Sequence, residues 1–213
     1  MRRHPVLAPV QLPAPEWPDT SLGAAVRARR SLSDLGSGRI GLAELSVVLA
    51  GAAGVTGTAS GPAGTPIPVR AAPSGGGLFP LDLLVLPLRC DGLDDAVRRY
   101  DPERHVLEAT GLRLAPGALA GAVYQQEIPS TAAVFVAVAA TFARTRVKYG
   151  LRGYRFALLE AGHVVQGALL AATAAGLRSV PVGGFLDAGL EELLGLDGVR
   201  ESVVHGFAVG RPE

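Results

Sequence analysis

Apolar residues recur along this chain with two periods. At residues 42–52, Leu42, Leu45, Val48 and Leu49 fall on one face of a helix. At residues 153–175 the helical period returns. Arg152, Arg155, His163, Gln166 and Thr173 share one stripe about 80° wide, and nearly everything else there is apolar or small. Such a helix belongs at the centre of a domain or dimer, and Gly176 stops it. Residues 132–141 form a run of Val, Ala and Phe that predicts a buried strand. Residues 81–88, 179–182 and 202–209 read as further strands, with Pro87 placing the first near an edge or an end. Residues 97–100 and 105–108 flank Asp101-Pro102-Glu103-Arg104, good turn chemistry for a hairpin. Further helices are expected at 22–29, capped by Ser21, at 116–126 and at 190–194. The order predicts an α+β fold, a mostly antiparallel sheet packed with helices, without regular βαβ alternation.

Two regions break the pattern. Residues 1–20 should form an extended, Pro-rich arm ahead of a single domain at 21–213. Residues 51–77 hold eight glycines and four prolines. That window excludes a regular helix or a central strand, and loops of this length are usually functional or mobile.

Composition narrows the classes. Of 213 residues, 48% are hydrophobic and 18% charged, which excludes a disordered chain. Lys plus Arg is 20 against 19 Asp plus Glu, so no field favours nucleic acid or an anionic membrane. A single cysteine, Cys90, rules out an internal disulfide or a Cys-rich zinc site and fits a reducing cytoplasm. Prolines interrupt the basic N-terminus, so no signal peptide is expected. The uncharged run 161–177 falls short of the roughly 20 apolar residues of a membrane span.

Several groups can carry chemistry. Arg29, Arg30 and Ser31 close the first helix. Two planar guanidiniums and a hydroxyl suit a phosphate, although taken alone a solvated helix end explains them more simply. In Pro73-Ser74-Gly75-Gly76-Gly77-Leu78-Phe79-Pro80, glycines before a strand let backbone approach a flat ligand or a phosphate; a flexible loop is the plainer alternative. A strand follows it, so it is neither a Walker loop nor a dinucleotide fingerprint. Lys148 is the only lysine and precedes Tyr149. Both titrate near 10 in water, and each can stabilise a shifted form of the other, which would give a proton acceptor; an exposed lysine beside an interfacial tyrosine is the simpler alternative. Neighbours on a helix diverge by about 100°, so both face one ligand only from a helix start or a loop. Glu160, His163 and Gln166 read best as buried polar residues satisfied locally or across an interface. A lone Glu-x-x-His lacks the second copy that a di-iron site needs. Gly183 and Gly184 follow a short strand and allow close approach to a ring, or simply make a turn. Arg211 is a third phosphate ligand or a frayed tail.

No single motif is specific, but their order and spacing are. The sequence Arg29-Arg30-Ser31, then Pro73 to Pro80, then Lys148-Tyr149-Gly150 resembles the FMN-dependent nitroreductase superfamily. Leu158-Leu159-Glu160-Ala161-Gly162-His163, Val182-Gly183-Gly184-Phe185 and Val209-Gly210 continue the resemblance, which spans residues 22–211. Within the superfamily it is similar to the SagB/McbC-type azoline oxidases, which turn azolines in ribosomal peptides into thiazoles and oxazoles. The resemblance implies a homodimer with two FMN sites, each built from both chains. Arg29, Arg30, Ser31 and Arg211 would hold the phosphate and ribityl chain. Pro73, Ser74 and Gly75 would lie along the flavin and substrate, Gly183 and Gly184 along the ring edge. Lys148 and Tyr149 match the catalytic pair, taking a proton while a hydride passes to the flavin. The implied partners are an azoline-containing peptide and a cyclodehydratase complex, with no metal, nucleic acid or membrane. Ser33 stands where many relatives have another Arg, and the arm is too short for a leader-binding domain. Two other functions remain: an NAD(P)H-fed reductase of nitro compounds or quinones, and a flavin-free scaffold.

Overall fold

The strand expected at 132–141 forms the axis of the fold. In this computed structural model residues 7–61 and 64–213 are described, so the first six residues of the expected arm lie outside them. Strand β7 (Val134–Thr141) lies inside a seven-stranded antiparallel sheet. The order is β1 (Val10–Gln11), β6 (Val106–Arg113), β5 (Ala96–Asp101), β4 (Leu81–Pro87), β7, β9 (Glu201–Gly210) and β8 (Arg178–Val182). Alternation along β7 splits the core between the two faces. Val134, Val136 and Val138 join one apolar cluster, and Phe135, Ala137 and Ala139 join the other. Covered faces on both sides explain why β7 reads as a continuous apolar run.

The first face is covered by α2 (Leu42–Ala53) and α5 (Arg152–Ala174), which bring Leu45, Leu49, Val164 and Ala168 against the sheet. The two helices cross at two glycines. A Cβ on Gly51 would lie 2.5 Å from that of Ala171, and one on Gly167 would run into the Gly51 carbonyl. By length and hydropathy α5 resembles a membrane span, yet half of that segment is buried inside the fold. Its polar stripe faces outward, with Arg152, Arg155, His163 and Gln166 exposed. The second face is covered by short elements, α3 (Glu127–Thr131) and α6 (Asp187–Leu194) among them.

Several elements differ from expectation. Residues 116–126 form only a 3-10 turn at Ala118–Gly121. Gly117, with φ 75°, enters that turn in the left-handed region and breaks the helix. The window 51–77 contains a separate two-stranded ribbon, β2 (Val55–Ser60) against β3 (Pro66–Arg70). Its β2 strand is exposed throughout, so it carried no apolar signature. Pro87 does end β4, but β4 is an interior strand. Part of the arm is strand, since Val10 and Gln11 pair with Leu107 and Val106. His105 ties that arm down. Its ring meets Tyr100 Oη at 2.8 Å, Ser46 Oγ at 2.7 Å and the Pro13 carbonyl at 3.1 Å.

Candidate functional site

After β3 the chain makes a tight turn at Gly75–Gly77 before entering β4. Gly76 and Gly77 have φ 66° and 65°, a region that side chains disfavour. Two side chains hold the turn. Glu160 of α5, buried in an otherwise apolar helix face, accepts the Gly75 N–H at 2.8 Å. Ser74 Oγ accepts the Phe79 N–H at 2.9 Å.

Against this turn stands α4 (Ala143–Tyr149), a helix that periodicity did not reveal because only Thr145 is buried. Lys148 and Tyr149 fill its last turn rather than a helix start or loop. They nevertheless converge. A Cβ on Gly76 would lie 2.7 Å from both Lys148 Nζ and Tyr149 Oη. The missing side chain lets the turn sit between two long side chains that leave the helix in different directions. Gly150 (φ 56°) then ends α4, and α5 begins two residues later. Tyr149 packs edge-on against Phe156, with ring centroids 4.8 Å apart.

A second cluster forms where α1 (Leu22–Ala28) ends. Ser31 bridges to Ser179 at the start of β8. Arg29 Nη1 donates to Ser31 Oγ at 3.2 Å, and Arg30 Nη1 to the carbonyls of Arg27 and Arg29. Among the described residues neither arginine has a carboxylate partner. Ser179 Oγ is buried beside them with no hydrogen-bond partner among the described residues. Such a set of donors suits a phosphate. Arg211 is placed differently: it is ion-paired to Glu44 and backbone-paired to Gly38. Among the described residues no hydrogen bond or ion pair joins it to Arg29, Arg30 or Ser31.

Gly183 and Gly184 leave the far end of β8. Gly183 is exposed with open space at its Cβ position, while the Gly184 carbonyl accepts the Tyr124 N–H at 3.1 Å. Ser179 and Gly183 are thus four residue steps apart along the extended chain, roughly 13 Å. That span can separate a phosphate from a ring joined to it by a ribityl chain. The Gly75 turn lies at the same end of the sheet as Gly183, but β9 and β7 intervene between β8 and β4. Within one chain β8 and β4, the strands that border the two glycine segments, are therefore three strand spacings apart, about 14 Å.

Of the expected residues, Pro73, Ser74, Gly75, Lys148 and Tyr149 come together, and Arg29, Arg30 and Ser31 come together beside Gly183 and Gly184's strand. Sequence reasoning missed Ser179, whose hydroxyl carried no signal before β8 was placed. It also missed Glu160 as the anchor of Gly75. A carboxylate on an apolar helix was visible, but its partner was not. Among the described residues no cluster of His, Cys, Asp or Glu could hold a metal ion.

Comparison with known proteins agrees with this architecture. The model of the nitroreductase family matches residues 26–211. A protein of Methanocaldococcus jannaschii assigned as a nitroreductase is 33% identical over 190 residues, 87% of this chain and 89% of its own. Two solved structures share the fold. One is the microcin synthetase complex of Escherichia coli bound to a truncated precursor (TM-score 0.71, 22% identity, 83% of this chain and 66% of that one). The other is a nitroreductase-like protein of Desulfovibrio desulfuricans in complex with FMN (TM-score 0.59, 23% identity, 91% and 87%). With the family model spanning nearly the whole sheet and both clusters, the chain belongs to the nitroreductase family.

Proposed function

We propose that this chain is an FMN-dependent oxidase that converts azolines in a ribosomally made peptide into azoles, and that it works as a homodimer. The convergence of Lys148 and Tyr149 on the Gly76 turn carries this reading. The donor set fits FMN: Arg29, Arg30 and Ser31 would hold its phosphate, with the unsatisfied Ser179 hydroxyl at hand. Gly183 and Gly184 would admit the ring edge. The two strands that intervene between β8 and β4 within one chain support a site assembled from two copies, one supplying Arg29 to Ser31 with Gly183–Gly184, the other Pro73 to Gly75.

FMN, when bound, supplies a two-electron acceptor that dioxygen can regenerate. The protein does the rest. Lys148 or Tyr149 takes the proton that the azoline ring must lose as it becomes aromatic. Glu160 fixes the Gly75 amide and Ser74 fixes Phe79, so the turn meets the substrate already ordered. The edge-on contact with Phe156 orients the Tyr149 ring.

A second reading has its own support. The Methanocaldococcus relative favours a reductase of nitro compounds or quinones fed by NAD(P)H. One experiment separates them. Purified protein with FMN, air and an azoline peptide should remove two hydrogens per ring without NAD(P)H. Lys148→Ala should retain FMN and lose turnover by about 100-fold or more. Steady NAD(P)H oxidation with a nitro or quinone acceptor, beside an untouched azoline, would refute the oxidase reading.

A further inference from the structure

A cavity of about 390 Å³ opens between β3, the start of β4, β5 and α4. Guanidiniums of Arg70, Arg99 and Arg144 line it. Two of them are committed. Arg99 pairs with Asp82 at 3.3 Å and Glu108 at 2.6 Å. Arg144 holds Asp82 at 2.9 Å and the Phe79 carbonyl at 3.1 Å. Arg70 is not. Its side chain is 15% exposed and, among the described residues, its Nε is buried without a hydrogen-bond partner and its nearest carboxylate, Glu103, lies 3.7 Å away. Glu103 itself is 62% exposed, a loose partner for a buried cation. Burial lowers the pKa of Arg70 against the pull of Glu103 and Asp82.

The cavity also shows construction. The Phe79 ring lies 4.2 Å from the Arg70 guanidinium and supports it. Phe79 does so from a backbone φ of 42°, which a bulky residue rarely adopts. Ser74 holds its N–H and Arg144 its carbonyl, so both ends of the strained residue are pinned. Strain held in place this way is characteristic of ligand sites.

We propose that this cavity binds a single carboxylate group, with Arg70 as its anchor. A monoanion fits better than a phosphate, because Asp82, Asp101 and Glu103 also line the wall. Asp82 is shared by two arginines and Asp101 accepts the N–H groups of Glu103 and Arg104, so their charge is largely spent. Glu103 is the group an incoming carboxylate displaces. A small chamber of about 20 Å³, lined by Arg70, Pro73, Phe79 and Glu160, adjoins the cavity, and Glu160 there is the residue that holds the Gly75 N–H. The proposal rests on the cavity and goes beyond the azoline reading.

The test is an NMR titration of the full ¹⁵N-labelled chain, with its flavin as purified, following arginine Nε–H signals. The probes are propionate for a side-chain carboxylate, N-acetylglycinate for a chain end, N-acetylglycinamide as the uncharged control, and inorganic phosphate. One signal, missing in Arg70→Gln, should move saturably with at least one carboxylate and not with the amide. The tighter of the two carboxylates identifies the source. Glu103→Gln should tighten that binding about threefold by removing the competitor, and Arg70→Gln should weaken it by about 10-fold or more. The proposal is overturned if no arginine signal saturates, if amide or phosphate binds as well as carboxylate, or if Glu103→Gln binds no more tightly.

Discussion

Two pairs of glycines in this fold look alike and serve opposite ends. Gly51 and Gly167 let α2 and α5 touch; Gly75 and Gly76 let a turn sit against Lys148 and Tyr149. In the first pair the obstacles to an added Cβ are a backbone carbonyl and a helix-borne Ala171 Cβ. In the second a Cβ on Gly75 would meet only ordinary contacts, and the obstacles at Gly76 are the tips of two long side chains. Backbone in a packed core cannot step aside, whereas a lysine tip can. Glycine at the helix crossing therefore secures the fold, and glycine at the turn secures the position of two reactive groups.

The comparison breaks most clearly at the helix crossing. Gly167→Val drives a branched side chain into the Gly51 carbonyl and should cost about 3 kcal/mol, the upper range for overpacking. Urea unfolding of the purified variant checks this. A midpoint unchanged from wild type would mean that α2 and α5 can part freely, and the contrast would be lost.

At the turn the balance reverses. Gly76→Ala places a side chain at φ 66°, which costs about 1 kcal/mol. Lys148 and Tyr149 should swing aside without further loss. Turnover should fall about 10-fold or more, since positioning is what the turn provides. A variant that loses stability like Gly167→Val but keeps its turnover would place Gly76 with the structural glycines.

The sequence exposed those features whose burial leaves a period. The β7 strand, both long helices and the antiparallel α+β class were legible because each presents a continuous or striped apolar pattern. The α4 helix was not, with one buried residue, nor was β2, exposed along its length. At the site the residue types were legible and their partners were not. Lys148 and Tyr149 meet a turn more than 70 positions away, and Glu160 reaches Gly75 across 85. Helical geometry argued that Lys148 and Tyr149 diverge in a helix, which is true of their Cβ directions. It could not foresee a side-chain-free turn placed between their ends. Arg211 shows the same limit. Its place at the chain end suggested a phosphate ligand, and its pairing with Glu44 in the described chain had no sequence signal.

The smallest effect sharpens the contrast from the side of stability. His105 joins the arm to Ser46 of α2, the helix that meets α5 at Gly51. Burial holds its pKa below the ordinary 6.5, with the Pro13 carbonyl opposing that shift. The unfolded chain therefore takes up the proton first as pH falls. The stabilising contribution is complete above about pH 6.5 and is lost as pH drops through the lower, folded value. Unfolding midpoints at about pH 7.5 and 5.5 should differ more in the wild type than in His105→Gln, which cannot titrate there. FMN retention should not follow that difference, because no hydrogen bond joins His105 to Arg29, Arg30, Ser31 or the Gly75 turn among the described residues. Parallel pH dependences in the two proteins would show that the proton is taken up elsewhere, and His105 would then be a neutral tether.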